Sequence, residues 1–362
     1  MSKLLMTPGP TNIPTEVQNI LGQDMIHHRF DDFHKVMENL NEKLKKIFFT
    51  KNDVYTMTCS GTGVMETAVV NLFSKGEKVA IINVGNFGKR FVQICQVYGL
   101  EVIELEYNWG ETYNLEDVKK IISENSDLKG IFVTHSETST GVLNNIKALG
   151  ELTKNSDILL VVDVISGMIV NEFKFDEWNV DCAVAGSQKG FLLPPGIAFV
   201  AISDKAKKAI YKSDLPKFYF DLKQAIKYYN EKKETPWTPA IPIIRAAEVA
   251  CDILLKEGIE NIQARHTKLR KYVEDEVQKL GFKLFVKNPE ARGNTLVTVY
   301  REDSLDLSKL RNYIDNKYNI TIAGGQGKYA GKILRFGCLG LLTIQDFKNL
   351  FEIIKKYLEE NN

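Results

Sequence analysis

The sequence predicts an α/β fold, in which a large domain with a mostly parallel sheet precedes a smaller C-terminal α+β domain. Short runs rich in β-branched residues alternate with helical patterns up to about residue 203. Some of these runs are apolar throughout, as at 158–162, which is typical of strands covered on both faces. Beyond residue 203 the alternation ends, and long helical segments precede a few further strands.

The elements of the predicted large domain follow one another in a regular order. The helical pattern after the first strand has apolar residues at 64, 65, 68, 69, 72 and 73, which form one stripe on a helix. Strands that alternate with helices pair in parallel and carry helices on both faces of the sheet. The predicted strands are 54–59, 78–84, 101–106, 130–135, 158–165, 181–186 and 197–203. The predicted helices are 62–73, 88–98, 115–125 and 146–154.

The C-terminal part has a different pattern. A stretch rich in Lys and Tyr at 206–233 leads into a long helical region at 242–280. The rest mixes strand and helix patterns and predicts a smaller α+β domain joined through the long helix. The predicted elements are strands at 282–286, 295–301 and 333–338 and helices at 307–318 and 344–358.

The composition is that of an ordinary globular protein. The 362 residues include 47 Lys and Arg against 46 Asp and Glu, so the net charge is +1. This balance gives no net attraction to nucleic acid or to an anionic membrane. The apolar stretches stop far short of a bilayer span, and the N-terminus lacks a signal-peptide pattern. We expect a soluble, cytoplasmic protein without nucleic-acid or membrane partners.

Cysteine and histidine give no metal-site pattern. The five cysteines are scattered without a CxxC pair, so we interpret them as small buried residues of a reducing compartment. His27, His28 and His34 lie near two aspartates but lack the spacing of a metal-binding motif. We therefore expect no metal, and the role of His27, His28 and Arg29 stays open.

A glycine-rich turn follows the first predicted strand. Ser60-Gly61-Thr62-Gly63 opens directly into a helix, whose first N–H groups can hold an anion with the help of the helix dipole. The Thr62 hydroxyl adds a donor. No Lys-Ser/Thr pair follows, so this is not a P-loop.

Two charged residues lie at the ends of apolar strands. Asp163 would be desolvated and would need a cationic or N–H partner, unless it is an ordinary strand-end aspartate. Lys189 follows the next strand, and burial would lower its pKa and make it a nucleophile or base. Pyridoxal 5′-phosphate needs such a set, with a phosphate cradle, a Schiff-base lysine and a carboxylate for its ring nitrogen. Phe87 follows the second predicted strand and could stack on the ring.

These features resemble the class V pyridoxal-phosphate-dependent aminotransferases of fold type I, closest to the alanine–glyoxylate and serine–pyruvate aminotransferases. The resemblance covers nearly the whole chain, and the order of its motifs is more specific than any single one. The motifs are MTPGPT at 6–11, SGTG at 60–63, THSETSTG at 134–141, Asp163 with Ile165-Ser166, GSQK at 186–189, PPG at 194–196, GGQG at 324–327 and LRFG at 334–337.

The resemblance implies a role for each matching residue. Lys189 would join the cofactor covalently, and Asp163 would pair with its ring nitrogen. Thr62, Gly63 and Gln188 would contact the phosphate. Around the ring, the implied contacts are Phe87 on one face, Ile165 beneath and Thr138 near the hydroxyl.

The substrate and dimer residues are implied in the same way. Arg335 would bind the substrate carboxylate with a bidentate fork, and Gly9 would line the pocket. The family forms homodimers in which a segment matching 235–238 reaches the phosphate site of the neighbouring subunit, so Thr238 is a further candidate. The implied domains are an N-terminal arm at 1–20 that contributes to the active site, a cofactor-binding domain at 21–255 and a small domain at 256–362.

The expected activity is a ping-pong transfer of an amino group from a small L-amino acid, of the alanine or serine type, to glyoxylate or pyruvate. Phe87 and Val64 stand where the alanine–glyoxylate enzymes often have tryptophan and histidine, so donor and acceptor stay open. The alternatives are 2-aminoethylphosphonate–pyruvate transfer, for which Arg29 is a conceivable extra cation, and ureidoglycine–glyoxylate transfer. A cysteine desulfurase-like lyase is disfavoured, because Cys338 lies in an apolar run.

Overall fold

The computed structural model describes residues 3–361. Its strands, numbered in chain order, are β1 (Leu4–Met6), β2 (Val54–Met57), β3 (Lys78–Asn83), β4 (Glu101–Glu106), β5 (Leu128–Thr134), β6 (Ser136–Glu137), β7 (Val142–Leu143), β8 (Leu159–Asp163), β9 (Cys182–Gly186), β10 (Ala198–Ile202), β11 (Lys283–Leu284), β12 (Leu296–Tyr300), β13 (Ile320–Gly324) and β14 (Leu334–Gly337). Its helices are α1 (Thr15–Leu21), α2 (Asp31–Phe48), α3 (Gly61–Leu72), α4 (Asn86–Val97), α5 (Leu115–Glu124), α6 (Ile146–Thr153), α7 (Asp204–Lys212), α8 (Leu222–Lys232), α9 (Ile241–Glu257), α10 (Ile259–Lys279), α11 (Leu307–Tyr318) and α12 (Ile344–Asn361). Short 3-10 helices cover Pro289–Ala291 and Gly327–Tyr329.

The seven strands predicted for the large domain form one sheet, and the predicted α/β class is confirmed. Their order is β2-β10-β9-β8-β5-β3-β4, and only β10 runs antiparallel to its neighbours. The central strands β8, β9 and β10 are buried along their whole length, as their continuous apolar sequences predict. The carboxyl ends of the parallel strands therefore share one edge of the sheet.

A second, five-stranded sheet belongs to the C-terminal part of the chain. Its order is β1-β13-β14-β12-β11, with β1 parallel to β13 and the other pairs antiparallel. The sequence patterns missed β13, and they also missed the N-terminal β1, which pairs with it. Met6 on β1 packs into a second hydrophobic core, formed with α10, α11 and α12 and separate from the core around the large sheet.

The predicted helical region at 242–280 is two helices rather than one. Gly258 between α9 and α10 has φ 87°, a conformation that side chains disfavour and that ends the first helix. Helix α2 was not predicted, although its buried Phe33, Met37, Leu40 and Leu44 repeat every three or four residues. Among the helices of residues 3–361, none has the length and apolar character that crossing a bilayer requires.

Candidate active site

Lys189 lies three residues beyond the end of β9, at the carboxyl edge of the large sheet. Its ammonium donates a hydrogen bond to the carbonyl of Pro8, and its side chain runs along the backbone of Gly9. The pKa of Lys189 is lowered to about 8, mainly by burial; Asp163 opposes the shift, and the charge of Arg335 contributes to it. A lysine with this pKa is partly neutral near pH 8, which an exposed lysine is not.

Asp163 is the last residue of β8 and is 2% exposed. Its carboxylate accepts the backbone N–H of Ile165 at 2.8 Å and the hydroxyl of Thr134 at 3.4 Å. Burial raises the pKa of Asp163 to about 7, with a further contribution from the charge of Glu137. The Ile165 N–H and the charge of Lys189 act in the opposite direction. This carboxyl is therefore poised to pair with a cationic group near neutral pH.

The predicted glycine cradle is the start of α3. The Ser60 hydroxyl caps this helix, and the Gly63 N–H reaches it only at 3.5 Å. A Cβ on Gly61 would lie 2.8 Å from the side chain of Ile165, so the cradle packs directly against the residue two positions after Asp163. Thr62 is exposed at the rim. The absent side chain of Gly61 thus leaves space against Ile165, which a Cβ at that position would fill.

Gln188 joins the same surface. A Cβ on Gly186 would meet the Gln188 amide oxygen at 2.9 Å and the Ile165 side chain at 3.1 Å. Thr11 of the N-terminal segment holds this turn from the other side. Its N–H donates to the Gln188 carbonyl at 3.3 Å, and its hydroxyl donates to the Lys189 carbonyl at 3.3 Å.

Arg335 reaches the site from the small sheet and is 7% exposed on β14. Its Nε donates to the Gly324 carbonyl at 2.7 Å, and its Nη1 donates to the Thr138 carbonyl at 2.7 Å. Burial lowers the pKa of Arg335 to about 10, whereas the charge of Glu137 opposes this shift. Within residues 3–361 no acceptor is bonded to Nη2, so that side of the guanidinium can take a carboxylate.

Glu137 is a functional candidate to which sequence reasoning gave no role. It is fully buried and accepts hydrogen bonds from the N–H groups of Phe87 (3.0 Å) and Gly88 (3.1 Å) and from the Ser139 hydroxyl (2.5 Å). Burial raises its pKa, and these donors oppose the rise. The carboxylate thereby caps α4 and fixes the position of Phe87, which is half-buried. An acidic residue three positions beyond the buried strand β5 was the available signal.

Thr238 is the candidate that the chain does not bring to Lys189. It is exposed and lies near Thr58 and Tyr219, and within residues 3–361 no hydrogen bond links it to the site. Arg29 holds the preceding segment by donating to Glu234 at 2.5 Å and to the carbonyls of Thr235 and Pro236. The guanidinium of Arg29 therefore stabilises this loop through three hydrogen bonds.

No group of three or more His, Cys, Asp or Glu side chains suited to a metal ion occurs in the described part of the chain. The free cysteines there are Cys59, which is half-buried, and four that are buried. Burial raises the pKa of Cys59 to about 12, and it raises the pKa of Cys338 as well. Neither thiol is activated as a nucleophile.

A buried lysine and a buried carboxyl at the carboxyl edge of a mostly parallel sheet are typical of an α/β enzyme. The family model for class-V aminotransferases matches residues 12–334, and the chain belongs to that family. This confirms the resemblance given by the motifs and identifies the chain as a transaminase.

The chain is 42% identical to an uncharacterized aminotransferase of Methanocaldococcus jannaschii, over 94% of this chain and 89% of the relative. It is 34% identical to the L-aspartate–glyoxylate aminotransferase of Paracoccus denitrificans, over 94% of this chain and 87% of that protein. The crystal structure of an alanine–glyoxylate aminotransferase from Nostoc sp. superimposes with a TM-score of 0.95 at 28% identity, covering 99% and 96% of the two chains.

Proposed function

We propose that this protein binds pyridoxal 5′-phosphate and transfers the amino group of a small L-amino acid to glyoxylate or pyruvate. The observation that carries the proposal is the position of Lys189, which follows β9 at the carboxyl edge of the large sheet, next to β8 and its terminal Asp163. Its ammonium is held by the Pro8 carbonyl. The named relatives differ in donor, aspartate in one and alanine in the other, but both names contain glyoxylate. That both relatives are glyoxylate aminotransferases favours glyoxylate as the acceptor.

The residues present fit the cofactor. The start of α3 offers N–H groups to a phosphate, and the absent side chain of Gly61 leaves room beside Ile165. Thr62, Gly63 and Gln188 would hold the phosphate, with Phe87, Ile165 and Thr138 around the ring. Lys189 would carry the cofactor covalently. When bound, the cofactor supplies a ring that accepts electrons from the substrate α-carbon.

The chain's own residues perform the remaining steps. The Lys189 amine, with its pKa lowered to about 8, can accept the α-proton of the substrate at Nζ and return it later. Asp163 would pair with the ring nitrogen of the cofactor and favour its protonated form. Arg335 orients the substrate by pairing its free Nη2 side with the α-carboxylate, and Gly9 keeps the pocket open beside Lys189.

A donor-by-acceptor panel tests the activity. We expect purified protein with pyridoxal 5′-phosphate to convert L-alanine, L-serine or L-aspartate with glyoxylate or pyruvate, measured by chromatography of both products. Lys189→Ala is the matched control, and it should remove turnover because no other amine replaces the Nζ. Equal turnover by the variant would refute the role of Lys189. Sulfide release from L-cysteine without amino transfer would favour the desulfurase alternative, against which the buried thiols argue.

We also propose a cytoplasmic homodimer with the three-part domain division given above. Phe218 (76% exposed) stacks on Trp237 at 4.7 Å, and Phe30 is 63% exposed, so large apolar groups lie next to the 235–238 segment. A second subunit that covers these apolar groups would place Thr238 near the phosphate site of that second subunit. Light scattering at the mass of one chain would contradict the dimer, and cell fractionation tests the location.

A further inference from the structure

Helix α4 starts at the edge of the active site, and its first backbone N–H groups already donate hydrogen bonds to side chains. The Asn86 N–H donates to the Ser139 hydroxyl at 3.0 Å, and the N–H groups of Phe87 and Gly88 donate to Glu137. This terminus is therefore not a free anion site. It is a fixed support from which the next turn of the helix projects.

Arg90 lies on that next turn, three residues after Phe87. Its guanidinium carbon is 4.7 Å from the centroid of the Phe87 ring, and its Nη1 donates to the Thr62 hydroxyl at 3.2 Å. Residues three apart share one helix face, so the aromatic contact follows from the helix geometry. One planar cation thus touches both the side chain proposed to stack on the cofactor ring and a side chain proposed to hold its phosphate.

The hydrogen bond from Arg90 determines what Thr62 can do. A hydroxyl that accepts from a guanidinium keeps its own hydrogen for another acceptor. The residues proposed to hold the phosphate, Thr62, Gly63 and Gln188, are all uncharged, although the phosphate of the cofactor is an anion. Arg90 is a cation in direct contact with Thr62, and its charge also lowers the pKa of Asp163.

We propose that Arg90 is a positioning residue of the cofactor site, which acts through Thr62 to direct that hydroxyl toward a phosphate oxygen. The inference rests on the proposed function, because it requires a phosphate-bearing cofactor in this site.

The test measures binding of two probes to cofactor-free protein by fluorescence titration. The probes are pyridoxal 5′-phosphate and pyridoxal, which has the same ring but no phosphate. We expect Arg90→Gln to bind the phosphorylated probe about tenfold more weakly, as for loss of a hydrogen bond to a charged group. Pyridoxal should lose at most about twofold. Lys89→Gln is the matched control, because Lys89 is the exposed neighbouring cation and pairs with Glu104 at 3.0 Å.

A double-mutant cycle separates action through Thr62 from a general structural effect. Once Thr62→Val has removed the hydroxyl, adding Arg90→Gln should weaken binding by less than about twofold. Arg90→Lys should restore part of the affinity, because it keeps the charge and loses the planar fork. If Arg90→Gln does not fold, the affinity ratio of the two probes for Arg90→Lys decides. The ratio is the affinity for pyridoxal 5′-phosphate divided by the affinity for pyridoxal. A value about threefold below that of the wild type supports the proposal, and an unchanged value overturns it.

Other results overturn the inference without affecting the proposed function. Wild-type affinity in Arg90→Gln would do so, as would equal losses for the two probes or additive losses in the double variant. Failure of the wild-type protein to bind pyridoxal 5′-phosphate would instead refute the proposed function. The two failures are therefore distinguishable in one set of titrations.

Discussion

The substitution Gly9→Ala tests whether the N-terminal segment shapes the active site. Gly9 has φ +108°, and a Cβ there would lie 2.2 Å from Cδ, 2.6 Å from Cε and 2.7 Å from Nζ of Lys189. Carbon atoms in contact are about 3.5–4.0 Å apart, so either Lys189 or the segment must move by more than about 1 Å. A displacement of that size in a reacting group lowers the rate by about 100-fold. The unfavourable φ adds about 1–3 kcal/mol of destabilisation.

Gly76→Ala is the matched control. Gly76 also has a positive φ, of +80°, but a Cβ there would meet no atom within 4 Å. Both variants should lower the free energy of unfolding in urea titrations, because both carry backbone strain. Gly9→Ala should lower it more, since the overlap with Lys189 adds to that strain. Only Gly9→Ala should lose about 100-fold in kcat and change the visible spectrum of the bound cofactor. Wild-type kcat in Gly9→Ala would refute the argument, and so would an equal loss in Gly76→Ala.

Two further predictions follow from the buried charges. Arg335→Gln should raise the KM for carboxylic substrates about tenfold or more and change kcat less, because it removes the free Nη2 donors. An unchanged KM in steady-state kinetics would place the carboxylate elsewhere. Burial raises the pKa of the Asp163 carboxyl from 3.8 to about 7, so above pH 7 the folded protein carries an ionised carboxylate that burial disfavours. Asp163→Asn removes this charge and should therefore stabilise the cofactor-free protein above pH 7 by up to about 4 kcal/mol. The gain should shrink as pH falls from 7 to 4, and a pH-independent difference in urea titrations would contradict it.

The large sheet was predictable because its signals are local. The runs that became β8 and β9 are continuous, and Asp163 and Lys189 are charged residues at or just beyond their ends. A charge in such a place has few structural explanations, so it marks a site. The glycines that open α3 gave a different local signal, a glycine-rich turn between a strand and a helix.

What the sequence did not reveal depends on contacts between distant segments. Glu137 acquires its role only because Phe87 and Gly88, about fifty residues earlier, direct their N–H groups at it. Strand β1 has three residues, and its pairing with β13 joins positions more than three hundred residues apart. No periodicity within either segment carries that information. Thr238 differs again, since its expected role requires a second chain.

The geometry around Lys189 links its chemistry to the assembly of both cores. Strand β1 belongs to the second core, and the Pro8–Gly9 backbone that follows it covers the Lys189 side chain on the large sheet. Arg335 also comes from the second sheet, and it binds the Thr138 carbonyl beside Glu137. Burial is the largest cause of the lowered lysine pKa. Separating the two cores would therefore return the Nζ to water and raise its pKa toward the ordinary lysine value, even while the large sheet stayed folded.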